Sequence, residues 1–249
     1  MAPALPWLAL PGLAGGIDRD GRRADELLAA GFGSVEFGTV TAAPAADNPG
    51  VAALARMLAA TAPVAERAAI GIGLGLQPGI SPAAIAGEWM AGLRQAATVA
   101  DYASLNLSAR ASRHWFLPDH DITLDDAFRL AVAAAGKLPL AVKLPLDAAG
   151  PLPAAALAAV AAGFAQVTAV LPEGEGRWQR LAALVAAVAG RGAVVAVGGI
   201  RSAADVAAAR RAGAAGVQVH RLFQEAGATC LERLCPSAED GEIDQGLVE

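Results

Sequence analysis

The sequence has few aromatic residues, few charges and almost no cysteine for its length of 249 residues. Aromatic side chains make up 4% of it, charged side chains 17%, and there are two cysteines. This composition excludes a disulfide-stabilised scaffold and a highly charged disordered chain. Alanine, leucine, valine and 28 glycines dominate instead, which leaves enough apolar surface for one large core.

Long apolar runs and clusters of positive charge are also missing. No apolar run reaches the roughly 18 residues of a membrane span, so no transmembrane helix is expected. The first residues carry two prolines and no basic residue before the apolar stretch, so no secretory signal is predicted and the cytoplasm is the expected location. The 19 lysines and arginines are scattered and the net charge is −5, which argues against nucleic acid but is compatible with a small anionic ligand.

A metal site is not expected. Cys230 and Cys235 lie five residues apart, without the paired spacing and the partner histidines of a zinc site. Structural thiols are the prediction for both.

A short apolar run followed by an alanine-rich helical stretch recurs about every thirty residues. The predicted strands are 7–14, 34–39, 69–76, 103–107, 140–144, 165–171, 193–197 and 216–219. Most are continuously apolar, as parallel strands covered on both faces are. Eight such units predict an α/β fold, a single (β/α)8 TIM barrel over residues 1–235, followed by an acidic, frayed tail over 236–249.

The ends of the last two strands predict a phosphate site, because TIM barrels commonly bind phosphate there. Gly198 and Gly199 end the seventh strand and let backbone N–H groups approach an anion closely. The helix starting at Ser202 adds its positive end. The eighth strand delivers His220 and Arg221 to the same rim. The alternative is a glycine-rich turn without a ligand.

Several segments resemble the FMN-dependent dihydroorotate dehydrogenases, especially their quinone-linked class. The most specific are Gly15-Gly16-Ile17-Asp18-Arg19-Asp20-Gly21 and Gly31-Phe32-Gly33-Ser34-Val35-Glu36-Phe37-Gly38-Thr39-Val40-Thr41, with Asn48-Pro49 downstream. Further matches are Asn106-Leu107-Ser108, Val142-Lys143-Leu144 and the segment from Gly198-Gly199 to Gln218.

The resemblance implies an oxidoreductase with FMN as its cofactor. By position it implies FMN contacts from the backbone of Gly15 and Gly16, from Thr39, Asn106, Lys143, Gly198 and Gly199, and from the backbone of His220 and Arg221 at the phosphate. A cation such as Lys143 near the flavin stabilises the negative charge that builds on reduction. The alternatives are a lysine that extends from a strand end to solvent, and an Asn106 that only caps its loop.

Positions that bind or activate the substrate in the family are altered. The catalytic serine of the quinone-linked class corresponds to Ala109, and a lysine near the first turn is Arg19. An asparagine ending strand three is Gly73, and a Thr-Asn-Thr ending strand six is Val170-Leu171-Pro172. Each change removes or alters a polar group, so dihydroorotate is not the expected substrate.

The segment after Ala109 occupies the position of a lid over the flavin and offers replacement groups. His114 is the first candidate for a catalytic base, with Ser112 and His120 in the same segment. Arg110, Ser112 and Arg19 are candidates for binding a small anionic substrate. The alternative is that these are exposed loop residues.

Three functions remain open from the sequence. The first is an FMN oxidoreductase acting on a small anionic molecule other than dihydroorotate. The second is an inactive or accessory barrel that keeps a flavin or phosphate ligand. The third is a phosphate-substrate barrel enzyme without flavin, which the fold alone permits. The family often dimerises, so a homodimer is a further expectation.

Overall fold

The computed structural model describes residues 5–61, 67–109 and 121–235. Eight parallel strands close into a barrel in chain order, each hydrogen-bonded to the next and the last to the first. The strands are β1 (Gly12–Leu13), β2 (Ser34–Val40), β3 (Ala69–Leu74), β4 (Tyr102–Asn106), β5 (Leu140–Pro145), β6 (Gln166–Val170), β7 (Ala193–Val197) and β8 (Gly216–Val219). The predicted TIM barrel is therefore confirmed. The predicted tail lies outside the described residues.

Helices alternate with the strands. They are α1 (Ala24–Leu28), α2 (Val51–Ala59), α3 (Ile85–Ala96), α4 (Asp121–Ala135), α5 (Ala154–Ala162), α6 (Arg177–Val188), α7 (Ala203–Arg211), α8 (Arg221–Ala226) and α9 (Cys230–Leu234). One face of α3 is buried, since Ile85, Trp89 and Leu93 are at most 1% exposed. Ser202 caps α7 by accepting a hydrogen bond from the backbone N–H of Asp205. None of the helices in the described ranges has the length and apolar character of a membrane span.

The prediction of a long first strand over 7–14 was wrong. Only Gly12–Leu13 is a strand, and Pro6–Leu8 forms a 3-10 turn before it. Pro11, in the middle of the predicted run, lacks the backbone N–H that a ladder requires, so a central strand cannot run through it.

The barrel interior is polar. Lys143 on β5 contacts Glu36 on β2, and Gln218 on β8 donates to Tyr102 on β4. These strands are not neighbours, so the contacts cross the interior. Residues in register on adjacent parallel strands share a face, which places further polar side chains inside. The buried polar side chains on these strands are Ser34, Glu36, Ser104, Asn106, Lys143, Gln166, Thr168 and Gln218.

The opposite face of each strand is apolar and packs under the helices. Val35, Phe37, Ile72, Leu105, Val142 and Val167 are at most 1% exposed. On the helical side, Phe128 of α4 lies between Trp89 and Phe164, with ring centroids 5.6 and 5.0 Å apart. The hydrophobic core is thus the layer between barrel and helices, which leaves the interior free to carry polar groups.

Candidate active site

A cavity of about 390 Å³ lies at the carboxyl ends of the strands. The loops after β6, β7 and β8 form most of its wall. Of the predicted site residues, it brings together Gly15, Lys143, Gly198, Gly199, His220 and Arg221. This is the end of the barrel at which TIM barrels carry their active sites. Ligand sites in proteins commonly measure about 300–1,000 Å³, so this cavity can hold one small cofactor.

The loop after β7 turns on two consecutive glycines. Gly198 and Gly199 have φ of +99° and +67°, a region that residues with a Cβ rarely adopt. A Cβ on Gly198 would lie 3.3 Å from the carbonyl oxygen of Leu171, and one on Gly199 would collide with Arg177. The loop then leads to the capped start of α7. Small residues, a close backbone approach and a helix N-terminus together are suited to a phosphate group.

Arg177, at the start of α6, also faces this loop. Its Nη2 lies 2.7 Å from Asp205 Oδ1, its Nη1 donates to the carbonyl of Gly199 at 3.2 Å, and its guanidinium stacks on Trp178 at 4.4 Å. The side chains of Arg177 and Asp205 are only 21% and 19% exposed. Sequence reasoning missed Arg177, because no local signal marks an arginine whose partners belong to the following βα unit.

A buried ion pair lies at the floor of the cavity. Lys143 Nζ is 3.3 Å from Glu36 Oε1, and the two side chains are 8% and 0% exposed. The lysine therefore does not extend to solvent, which was the alternative interpretation. Glu36 was not predicted as a site residue, although a charged residue within the apolar run Val35-Glu36-Phe37 is a signal that could have identified it.

Gly15 packs against this ion pair, and Gly16 lies beside His220. A Cβ on Gly15 would lie 2.7 Å from Glu36 Oε1, so glycine is needed there. Gly16 has φ of +105°, and its N–H donates to the carbonyl of Gly38 at 2.6 Å. Of the two polar backbone groups of Gly16, only the carbonyl is therefore left for a cofactor contact.

Asn106 is fixed by neighbours on both sides. Its Nδ2 donates to Thr39 Oγ1 at 2.6 Å, and its Oδ1 accepts from the N–H and the hydroxyl of Ser108 at 2.9 and 2.7 Å. Asn106 and Lys143 are in register on β4 and β5. The side chain does cap its loop, and it also places an amide beside Lys143 at the strand ends.

The side chain of His220 is half-buried and packs against Gly16, where a Cβ would lie 3.1 Å from Nε2. Burial lowers the pKa of His220, and the positive charges of Lys143 and Arg221 lower it further. The imidazole is therefore held neutral at neutral pH. The sequence had indicated only a backbone role for this residue.

Two predicted arginines are exposed. Arg221 is 79% exposed and lies 3.9 Å from the carboxylate of Glu173. Arg19 follows β1 in an exposed loop and does not line the cavity. Arg110, Ser112, His114 and His120 lie outside the described residues. Within the described part of the chain, no group of three or more histidine, cysteine or acidic side chains could hold a metal ion.

Comparison with curated proteins gives short but clear matches. The chain is 35% identical over 120 residues to a dihydroorotate dehydrogenase (quinone) of Rhodospirillum rubrum, covering 39% of this chain and 31% of that protein. A protein of the same name from Stenotrophomonas maltophilia is 32% identical over 120 residues, covering 39% and 34%. One from Polynucleobacter asymbioticus is 58% identical over 38 residues, covering 15% and 11%. The matches thus span about a third or less of these relatives. No family model matches the chain.

Two solved structures share the fold over most of the chain. Both are DHODH, dihydroorotate dehydrogenase, from Eimeria tenella. The complex with ferulenol has a TM-score of 0.70 at 18% identity and the ligand-free form 0.72 at 17%. Each alignment covers 90% of this chain, and 79% and 82% of the other. Over the matched segments the chain is similar to dihydroorotate dehydrogenases, and it shares its barrel fold with the two solved structures.

Proposed function

We propose that the protein is an FMN-dependent oxidoreductase that acts on a small anionic molecule other than dihydroorotate. The observation that carries the proposal is the buried Lys143 at the floor of a cavity whose far wall is the Gly198–Gly199 loop. A phosphate-binding loop alone would be compatible with many barrel enzymes. A buried cation in the same cavity adds a group whose chemistry suits a flavin.

The residues present fit FMN. The phosphate end would be held by the Gly198–Gly199 loop and the start of α7, with Arg177 beside them. The ring end would be held by Lys143 and by Asn106, whose amide is oriented by Thr39 and Ser108. When bound, FMN supplies hydride transfer, which no side chain can perform.

The protein's own contribution is electrostatic and steric. Lys143 would supply positive charge to the bound flavin, on which negative charge develops during reduction, and its burial would strengthen the interaction because little water screens it. Leu171 and Pro172 give the cavity an apolar wall after β6. Such a wall excludes water and leaves orientation to the few polar groups at the floor.

The substrate is proposed to be anionic because four cationic side chains line the cavity, namely Lys143, Arg177, Arg201 and Arg221. Each has a carboxylate partner, but three of the four partners, Glu36, Asp205 and Glu225, do not line the cavity, and only Glu173 does. Dihydroorotate itself is disfavoured, because Gly73, Ala109 and the Val170-Leu171-Pro172 segment lack the polar side chains of the family. A site that has lost hydrogen-bond partners leaves the polar groups of that substrate unpaired.

The lack of a hydroxyl at Ala109 supports a second candidate function, an accessory flavin-binding barrel without turnover. Absorbance of the purified protein, with identification of the chromophore released on denaturation, tests FMN binding. A colourless protein that takes up no added FMN would contradict both functions. A dithionite-reduced protein that fumarate, quinone or orotate reoxidises is an enzyme, whereas one that none of them reoxidises supports the accessory function.

A further inference from the structure

Glu36 is an unusual residue for the interior of a barrel. Its side chain has no exposed surface, and one oxygen, Oε1, lies 3.3 Å from Lys143 Nζ. The other oxygen, Oε2, is buried and has no hydrogen-bond partner among the described residues. Gly15 and Gly73 leave the space that the carboxylate occupies, since a Cβ on either would lie 2.7 or 3.3 Å from Oε1.

Fold stability does not account for this arrangement. Removing a carboxylate from water is costly, and one ion pair that leaves an oxygen unsatisfied does not offset the cost well. Apolar side chains of similar volume commonly stabilise a protein as much as a buried ion pair does. The presence of Glu36 therefore points to a role in the chemistry of the site.

The charges of the pair act on other groups of the barrel. The negative charge of Glu36 contributes to a raised pKa of Tyr102, after the larger effect of burial. The positive charge of Lys143 contributes to the lowered pKa of His220. Lys143 and His220 line the cavity, and Glu36 lies directly behind Lys143 in the ion pair, so a ligand bound beside Lys143 is close to both charges.

We propose that Glu36 is a positioning residue that holds Lys143 at the cavity floor and offsets part of its charge, thereby lowering the reduction potential of the bound flavin. The proposal rests on the proposed function, because it takes the ligand to be FMN. Lys143 without Glu36 presents a full positive charge to the reduced flavin. With Glu36 it presents one end of a neutral pair, whose field is weaker.

The test compares reduction potentials of FMN-loaded full-length protein, measured by equilibration with a redox dye of known potential. Glu36→Gln keeps the size of the side chain and removes its charge. We expect the potential to rise, with reduction favoured by about tenfold or more, which is about 30 mV for a two-electron couple. Lys143→Gln should lower it, and the double variant should show that the two effects are coupled.

Glu88→Gln is the matched control. Glu88 is a partly buried carboxylate on α3, outside the barrel, and burial raises its pKa. Its removal should leave the flavin potential unchanged. The affinity of each variant for FMN, measured separately by fluorescence, shows whether the binding site itself is intact.

The direction of the shift separates the outcomes. If the reduction potential of FMN-loaded Glu36→Gln falls or stays the same, Glu36 does not offset the charge of Lys143. The inference is then overturned, while the proposed function remains in place. If this variant does not fold, Glu36→Asp withdraws the carboxylate from Lys143, and no rise in potential there overturns the inference too. A wild-type protein that binds no FMN contradicts the proposed function, and this inference falls with it.

Discussion

The guanidinium of Arg177 joins Asp205 to the glycine loop after β7, with one nitrogen 2.7 Å from the carboxylate and another 3.2 Å from the carbonyl of Gly199. The two residues lie 28 positions apart and belong to successive βα units. Asp205 also accepts from the N–H of Arg201 and from the hydroxyl of Ser202, so the arginine and the cap of α7 form one network. This network fixes a positive charge beside the proposed phosphate position.

Arg177→Gln should weaken FMN binding and leave riboflavin binding unchanged, because riboflavin lacks the phosphate. A hydrogen bond to a charged group contributes about 1.5–3 kcal/mol, so an FMN affinity about tenfold lower or weaker still is expected. Fluorescence titration of both ligands measures the difference. The control is Arg180→Gln, since Arg180 lies on the same helix and, among the described residues, donates to the carbonyls of Asp147 and Pro151 and not to the glycine loop. If Arg177→Gln lowers the affinities for FMN and riboflavin equally, Arg177 does not bind the phosphate.

Gly199→Ala should lower FMN affinity more than another glycine substitution with a similar backbone does. At Gly199 the new Cβ collides with Arg177 and also meets a φ of +67°. The control Gly174→Ala introduces a Cβ at φ of +97° with nothing within 4 Å, so it reports backbone strain alone. FMN titration of both variants separates the contact from the strain. If the two variants bind FMN with comparable affinity, the contact between Gly199 and Arg177 does not contribute to FMN binding.

His220 predicts a dependence of folding stability on pH. Its pKa is lowered in the folded protein, so between that value and the ordinary 6.5 the unfolded chain binds more protons. Stability should therefore fall as the pH drops below about 6.5. Urea unfolding at pH 7.5 and 5.5 measures this, and His220→Gln should show a smaller loss than the wild type. If both proteins lose the same stability between pH 7.5 and 5.5, His220 does not cause the loss.

Gly71→Ala tests the packing inside the barrel. A Cβ at Gly71 would collide with the ring of Tyr102, which is 1% exposed and stacks on Trp7. Overpacking of this kind costs about 1–3 kcal/mol of the free energy of unfolding. Gly87→Ala, in α3 with nothing within 4 Å, should be neutral or stabilise by up to about 1 kcal/mol. Equal denaturation midpoints for the two variants would show that Tyr102 moves aside without cost.

The barrel could be predicted because its signals are local. Seven of the eight strands lie at their predicted positions to within a few residues, since a short apolar run between turns needs no distant partner to be identified. β1 departs from the prediction because an apolar run with a proline in its middle resembles a strand in composition but cannot form a continuous ladder.

The candidate site was predictable only in part. The consecutive glycines Gly198 and Gly199 and a lysine in an apolar run are visible in the sequence, and the structure brings them to one cavity. The partners of these residues are not visible, because Glu36 and Lys143 are 107 positions apart. A buried lysine on β5 meets its carboxylate partner on β2 only when the barrel closes. No local sequence pattern shows this closure.

The polar interior also determines how the barrel can close. Neighbouring residues of a strand face opposite sides, so a strand that slipped by one position would exchange its polar and apolar faces. Gln166 and Thr168 would then lie under the helices, and Val167 would enter among the charges of Glu36 and Lys143. Such a slip is costly on both faces at once. The groups that prepare the cavity for its ligand therefore also select a single alignment of the strands.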